Sequence, residues 1–283
     1  HNNSFLIAGL VMGQSNIAAG ATIGSNHNSR SNDGEIQAGR GFWPGLCTSI
    51  KHSSRFASFV LLSKAHYPSE LDIPLPFSLV SNNQQHDRLE ILPAFWWLHN
   101  MYALARNGWK FKSRDKRMIK AQNVEFEALA PDTIEEIFTA RGLLALWTGR
   151  CAAEPGMDES EMIALGRKLL DSNESTPEVF AQGVECSKRA VRINRPAAGY
   201  RAYGEMIHYY SVKTLIDHFT TTPDASLHRL AIGRDGGRLS RWVNCGGHLI
   251  PEDHVDKIRQ DIGSGVLASW AAVHQRYHQL WEE

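Results

Sequence analysis

The chain has 283 residues with 30 basic and 30 acidic side chains, a balance that argues against general nucleic-acid binding and against a polybasic membrane anchor. At 42% hydrophobic it can bury a core and does not read as disordered. Its four cysteines (Cys47, Cys151, Cys186, Cys245) stand singly, so a reducing cytoplasm is expected. Its longest apolar runs, "FLIAGLVM" and "ILPAFWWL", are too short to span a bilayer, and it opens at a histidine in mid-pattern, which suggests a natural start further upstream.

The first element is a repeat. Phe5, Val11, Ile17 and Ile23 lie six apart, and four residues after each stand Gly9, Ser15, Ala21 and His27. Period six is neither helical nor a simple strand alternation; it is the spacing of a parallel β-solenoid whose bulky first residue points into a narrow interior. A second register, Ile50, Phe56 and Leu62, carries Ser54, Val60 and His66 in the fifth position. Ile23 and Ile50 are 27 apart, not a multiple of six, so residues 24–49, or part of them, are inserted. Such insertions project from one face of a solenoid and often bind ligands.

"DIPLPFSLVSNN" alternates, but Pro74 and Pro76 mark it as an edge strand or arm. "LEILPAFWWLHNMYALARNG" then reads as a helix from Leu89, with Pro93 in its first turn and Gly108 at its end. Beyond residue 120 the chain reads as mostly helical. "PDTIEEIFTARGLLALWTG" has Asp132 as a candidate cap; "MDESEMIALGRKLLDSN" and "TPEVFAQGVECSKRAVRIN" follow the same grammar. "PAAGYRAYGEMIHYYSVKTLIDHF" and "SGVLASWAAVHQRYHQLWEE" are longer helices, and "NCGGHL" is a glycine turn before a helix opening at Pro251. Trp96, Trp97, Trp147 and Trp270 fall on apolar stripes and are expected in the core.

The hexads resemble the left-handed β-helix of the hexapeptide-repeat superfamily, which includes acyltransferases and domains of sugar nucleotidyltransferases. "GSNHNSRSNDGEI", "GRGFWPGL", "SIKHSSRFASF", "DIPLPFSLV" and "KSRDKR" are similar to a family of large uncharacterised bacterial proteins in which such repeats run into a helical C-terminal region. The likeness is good over residues 5–120 and looser beyond. It implies a left-handed parallel β-helix of about two coils with a trailing helix and basic arm (1–120), followed by a mainly α-helical domain (121–283). It also implies a small-molecule substrate and allows a homo-oligomer, while the charge balance and the short apolar runs leave no nucleic acid and no membrane as expected partners.

The residues that would carry chemistry follow from these patterns. His27 and His66 share the small fifth slot, and His52 lies beside the repeat. A neutral imidazole suits a general base, so these three are the catalytic candidates for acyl or nucleotidyl transfer to a sugar-type acceptor. The rival reading is a non-catalytic solenoid scaffold. No metal is assigned, because the histidine spacing matches no ligand pattern. Asn26, Asn28, Arg30 and Asp33 offer dense hydrogen bonding for a sugar or nucleotide. Lys51 and Arg55, on one strand face, would hold phosphate. "RNGWKFKSRDKRMIK" interleaves Trp109 and Phe111 with cations, as the adenine and phosphates of a CoA-type or nucleotide-type donor would require, or as a basic linker would show.

Overall fold

The period of six is a property of the backbone as well as of the sequence. The computed structural model describes residues 4–6, 9–25, 34–120, 123–172, 176–222 and 241–282. In it the chain bends through left-handed φ at Gly41, Cys47, Ser53 and Phe59, each six residues after the last, and again at Phe77. A side chain there costs roughly 1–2 kcal/mol, so the strands on either side hold these corners in place.

Between the corners lie short strands: β1 (Phe5–Leu6), β2 (Leu10–Met12), β3 (Thr22–Ser25), β4 (Ile36–Ala38), β5 (Trp43–Pro44), β6 (Ser49–Lys51), β7 (Arg55–Phe56), β8 (Leu61–Leu62), β9 (His66–Tyr67), β10 (Asp72–Ile73) and β11 (Leu79–Asn83). The first sheet has the order β1-β3-β6-β9 and the second β10-β7-β4-β2, both parallel throughout. A third, mixed sheet takes β5, β8 and β11. Register stacks like on like. Ile23 pairs with Ile50, and Ile50 with Tyr67, all fully buried. Phe42 stacks on Phe56 at 4.6 Å and Phe59 on Phe77 at 4.7 Å, spacings at which aromatic pairs attract.

β12 (Arg88–Leu92) extends the third sheet antiparallel to β11. After it come α1 (Phe95–His99), α2 (Met101–Arg114), α3 (Pro131–Ala152), α4 (Glu159–Asp171), β13 (Val179–Ala181), β14 (Ala190–Ile193), α5 (Pro196–Thr221), β15 (Trp242–Cys245), β16 (His248–Pro251), α6 (Glu252–Gly263) and α7 (Trp270–Glu282). β14 lies parallel to β12 and antiparallel to β13, and β15 and β16 form a hairpin.

The expected fold class is therefore corrected. Among the described residues no left-handed β-helix of two coils followed by a mainly helical domain is evident. Instead there are two parallel sheets of very short strands and a mixed sheet, with helices after them. The mixed sheet and one buried cluster join residues on both sides of position 121. Residues 89–92, 179–181 and 190–193 are strands rather than helices. Leu89 and Ile91, like Val191 and Ile193, alternate inward with period two, and the hydrogen-bond ladder prevails over the apolar density of those segments. The helix expected to run from Leu89 instead begins at Phe95, breaks at Asn100, and passes through Gly108.

The first register also differs. Val11 is 61% exposed because it lies beside the exposed Gln37, while its neighbour Leu10 lies beside buried Ile36. Two hexad positions inside the supposed insertion, Ile36 and Phe42, are fully buried core. Trp96 and Trp147 are core, but Trp270 is 79% exposed.

Helices α3 and α4 cross closely. A Cβ on Gly166 would stand 1.8 Å from the Ala145 carbonyl oxygen, so a bare glycine is required there. The strands and helices are also tied by side chains. Trp96 Nε1 donates to the Phe59 carbonyl at 2.8 Å, and the Tyr203 hydroxyl to the Pro76 carbonyl at 2.6 Å.

Candidate functional site

Among the described residues, those expected to do chemistry (His52, His66, Lys51 and Arg55) do not form one cluster. His27, Asn26, Asn28, Arg30 and Asp33 lie outside the described residues. His52 follows β6, and its Nδ1 accepts the Gly34 N–H at 3.2 Å, which holds a turn. His66 opens β9 opposite Ser49, three residues from His52 along the strand and so about 10 Å away; its ring is exposed. Lys51 and Arg55 do not share a face. The corner at Ser53 places Lys51 in the first sheet and Arg55 in the second. Lys51 pairs with Glu70 at 2.9 Å and holds the Glu70 carboxyl below its ordinary range.

Two other sites emerge. One is a cavity of about 490 Å³ beneath α2 and α5, within the range of small-molecule sites. Phe59, Trp97, Trp109, Phe111, Phe126, Tyr209 and Tyr210 line it, with Arg40, Lys112, Lys213 and one carboxylate, Glu127. Trp97 Nε1 donates to Glu205 at 3.1 Å and its ring meets Tyr209 edge-on, which fixes that wall. Lys112 forms an ion pair with Glu127 and holds its carboxyl below the ordinary range. Lys112 and Phe126 also line an adjoining cavity of about 620 Å³, where Arg117, Lys120, His248 and His278 gather with Asp115 and Glu125. Much of the basic and aromatic stretch 106–120 thus spans both. Its Trp109 and Phe111 face the apolar chamber and its Arg117 and Lys120 the polar one.

The other is a groove of about 580 Å³ over the outer face of the second sheet. Its chemistry centres on α3. Pro131 opens that helix, and the Thr133 hydroxyl accepts the Ala130 N–H at 3.0 Å. Asp132 is consequently not the cap. Its two oxygens accept Arg40 Nε and Nη2 at 2.7 and 2.8 Å, and Arg40 Nη1 donates to the Glu127 carbonyl at 2.8 Å. The Arg40 side chain is 2% exposed. One turn on, Glu136 accepts the Ser58 N–H at 2.9 Å and its hydroxyl at 3.2 Å. Burial pushes the Glu136 carboxyl up to about 7; the adjacent Asp132 charge adds to the rise, while Ser58 and Arg40 oppose it. A carboxyl that titrates near neutrality can exchange protons with a ligand.

Arg40 carries a signal in the sequence: a lone charge between two glycines, in a segment otherwise supplying core. Glu136 follows Asp132 by four residues on one helix face. Neither signal names its partner, which lies 92 residues away for Arg40 and 78 for Glu136. Among the described residues no group of three His, Cys, Asp or Glu side chains converges for a metal, and no helix is long and apolar enough to cross a membrane.

No family model matches the chain, and no solved structure does. The chain is similar to a protein of Treponema pallidum (strain Nichols) described as an uncharacterized protein. The two are 47% identical over 281 residues, 99% of this chain and 38% of that protein. The chain therefore spans well under half the length of the relative it matches.

Proposed function

We propose that this chain binds a small anion with a planar aromatic body, of nucleotide or CoA type, in the cavity under α2 and α5. Such a ligand is the donor class for acyl or nucleotidyl transfer. The observation that supports this reading is the division of stretch 106–120. Trp109 and Phe111 line the apolar chamber, Arg117 and Lys120 line the polar chamber next to it, and Lys112 borders both. A base would stack on the aromatic wall, a contact worth about 1–3 kcal/mol, and the phosphates would meet the cations.

A histidine base is not part of this proposal, because His52 and His66 line neither chamber. Binding alone, without transfer, is the scaffold reading carried by the same geometry.

Calorimetric titration of the chain with ADP and with coenzyme A tests it. At least one should bind saturably, and Trp109→Ala should weaken it about 10- to 100-fold, the loss of one stacked base. Lys112→Ala should weaken it and flatten its salt dependence. Absence of binding by both compounds at millimolar concentration would refute the proposal.

A further inference from the structure

The floor of the groove on the second sheet is a ladder of outward side chains in strict register. Gln37 lies beside Arg55, and Arg55 beside Asp72; all three are exposed. Neighbouring rungs are about 4.8 Å apart, so amide, guanidinium and carboxylate repeat along a line. One wall is the face of α3 that carries Glu135 and Glu136, and Trp242 also lines the groove.

Carboxylates outnumber cations around the groove: Asp72, Asp132, Glu135, Glu136 and Glu252 line it with Arg55 and Arg241. Asp132 is paired with Arg40 and Glu252 with Arg241, and the excess of acids disfavours an anionic occupant. The floor is the face of a sheet whose backbone groups are engaged in its own ladders. An extended peptide, which is recognised through main-chain hydrogen bonds, finds few there. The groove also continues into a recess where Asn244 Nδ2 is buried and has no partner among the described residues. Buried donors are normally paired, so this one fits a ligand oxygen.

We propose that this groove binds a chain of neutral sugars, with vicinal hydroxyls bridged by the Gln37–Arg55–Asp72 ladder and one ring face laid on Trp242. Hydroxyls both donate and accept, which suits a row of mixed donors and acceptors, and the apolar face of a sugar ring packs on an aromatic plane. Glu136, at the border of groove and recess, adds a carboxyl that exchanges protons near neutrality.

The proposal is independent of the nucleotide-type cavity, and its test separates the two. Maltohexaose, cellohexaose and N-acetylchitohexaose are titrated calorimetrically into the full chain. At least one should bind, and Arg55→Ala and Asp72→Ala should each weaken it about ten-fold, the loss of one or two good hydrogen bonds. Trp109→Ala and Lys112→Ala, in the other cavity, should leave that affinity unchanged. Failure of all three sugars to bind, or binding that Arg55→Ala and Asp72→Ala leave intact, overturns the proposal. A hexalysine peptide that binds and is lost in Asp72→Ala overturns it as well, since the occupant would then be a peptide.

Discussion

Replacing Asp132 by alanine tests the central contact between the sheets and the helices. The substitution leaves the Arg40 guanidinium, 2% exposed, with the Glu127 carbonyl at 2.8 Å and the Phe59 ring 5.8 Å from its centre. Removing one partner of a buried ion pair costs about 3–5 kcal/mol, because the other charge stays desolvated. Asp132 is itself 15% exposed, so water can reach part of the vacated space, and the lower end, about 3 kcal/mol, is expected. In a chain of this size that lowers Tm by roughly 6–10 °C. Arg40→Met should cost less, since it removes the buried charge and leaves a carboxylate that water can reach. Arg40→Met combined with Asp132→Ala should lie closer to the wild type than Asp132→Ala alone, giving a coupling of about 2 kcal/mol in a double-mutant cycle read by urea denaturation. Additive single effects, or a cost below about 1 kcal/mol for Asp132→Ala, would show that the pair does not hold α3 to the sheets.

Two further outcomes follow from the same structure. The Glu136 carboxyl is raised from 4.5 to about 7 in the fold, so its protonated form is the one the fold favours. That contribution is complete below about pH 4.5 and is lost as pH rises through 7. The side chain lies partly open at the groove, which holds the effect to about 2 kcal/mol; Glu136→Gln should flatten the stability profile between pH 5 and 8, and an unchanged profile would count against the shift. Gly166→Ala should destabilise by about 1–3 kcal/mol through overpacking against Ala145, whereas Gly142→Ala, with nothing within 4 Å of its Cβ, should stabilise α3 by about 0.5–1 kcal/mol, both measured by thermal melts.

Local patterns marked interior positions and several helices, but neither the sheet architecture nor the site. Period six marked Ile50, Phe56 and Leu62 as interior, and all three are. It misled at Val11, because one residue of strand phase exchanges inside for outside, and a register of six does not reveal which of two neighbours faces in. Although Asp132 does not cap α3, the extents of α3 and α4 were legible because they depend on residues within one or two turns. Asp158, for example, accepts the Glu161 N–H at 2.8 Å, and the Glu161 carboxylate accepts the Asp158 N–H at the same distance.

Composition and spacing by themselves determined that the chain has a core, where its repeat runs, and that residues 106–120 join aromatic rings to cations. Tertiary structure alone decided that 89–92, 179–181 and 190–193 are strands, since a strand is stable only beside the partner that completes its ladder. It also decided that Asp132 meets Arg40 rather than a helix end, and that Gln37, Arg55 and Asp72 form one line. Those three are separated by a corner or more of backbone. Their alignment depends on inter-strand register, which short-range sequence pattern does not encode.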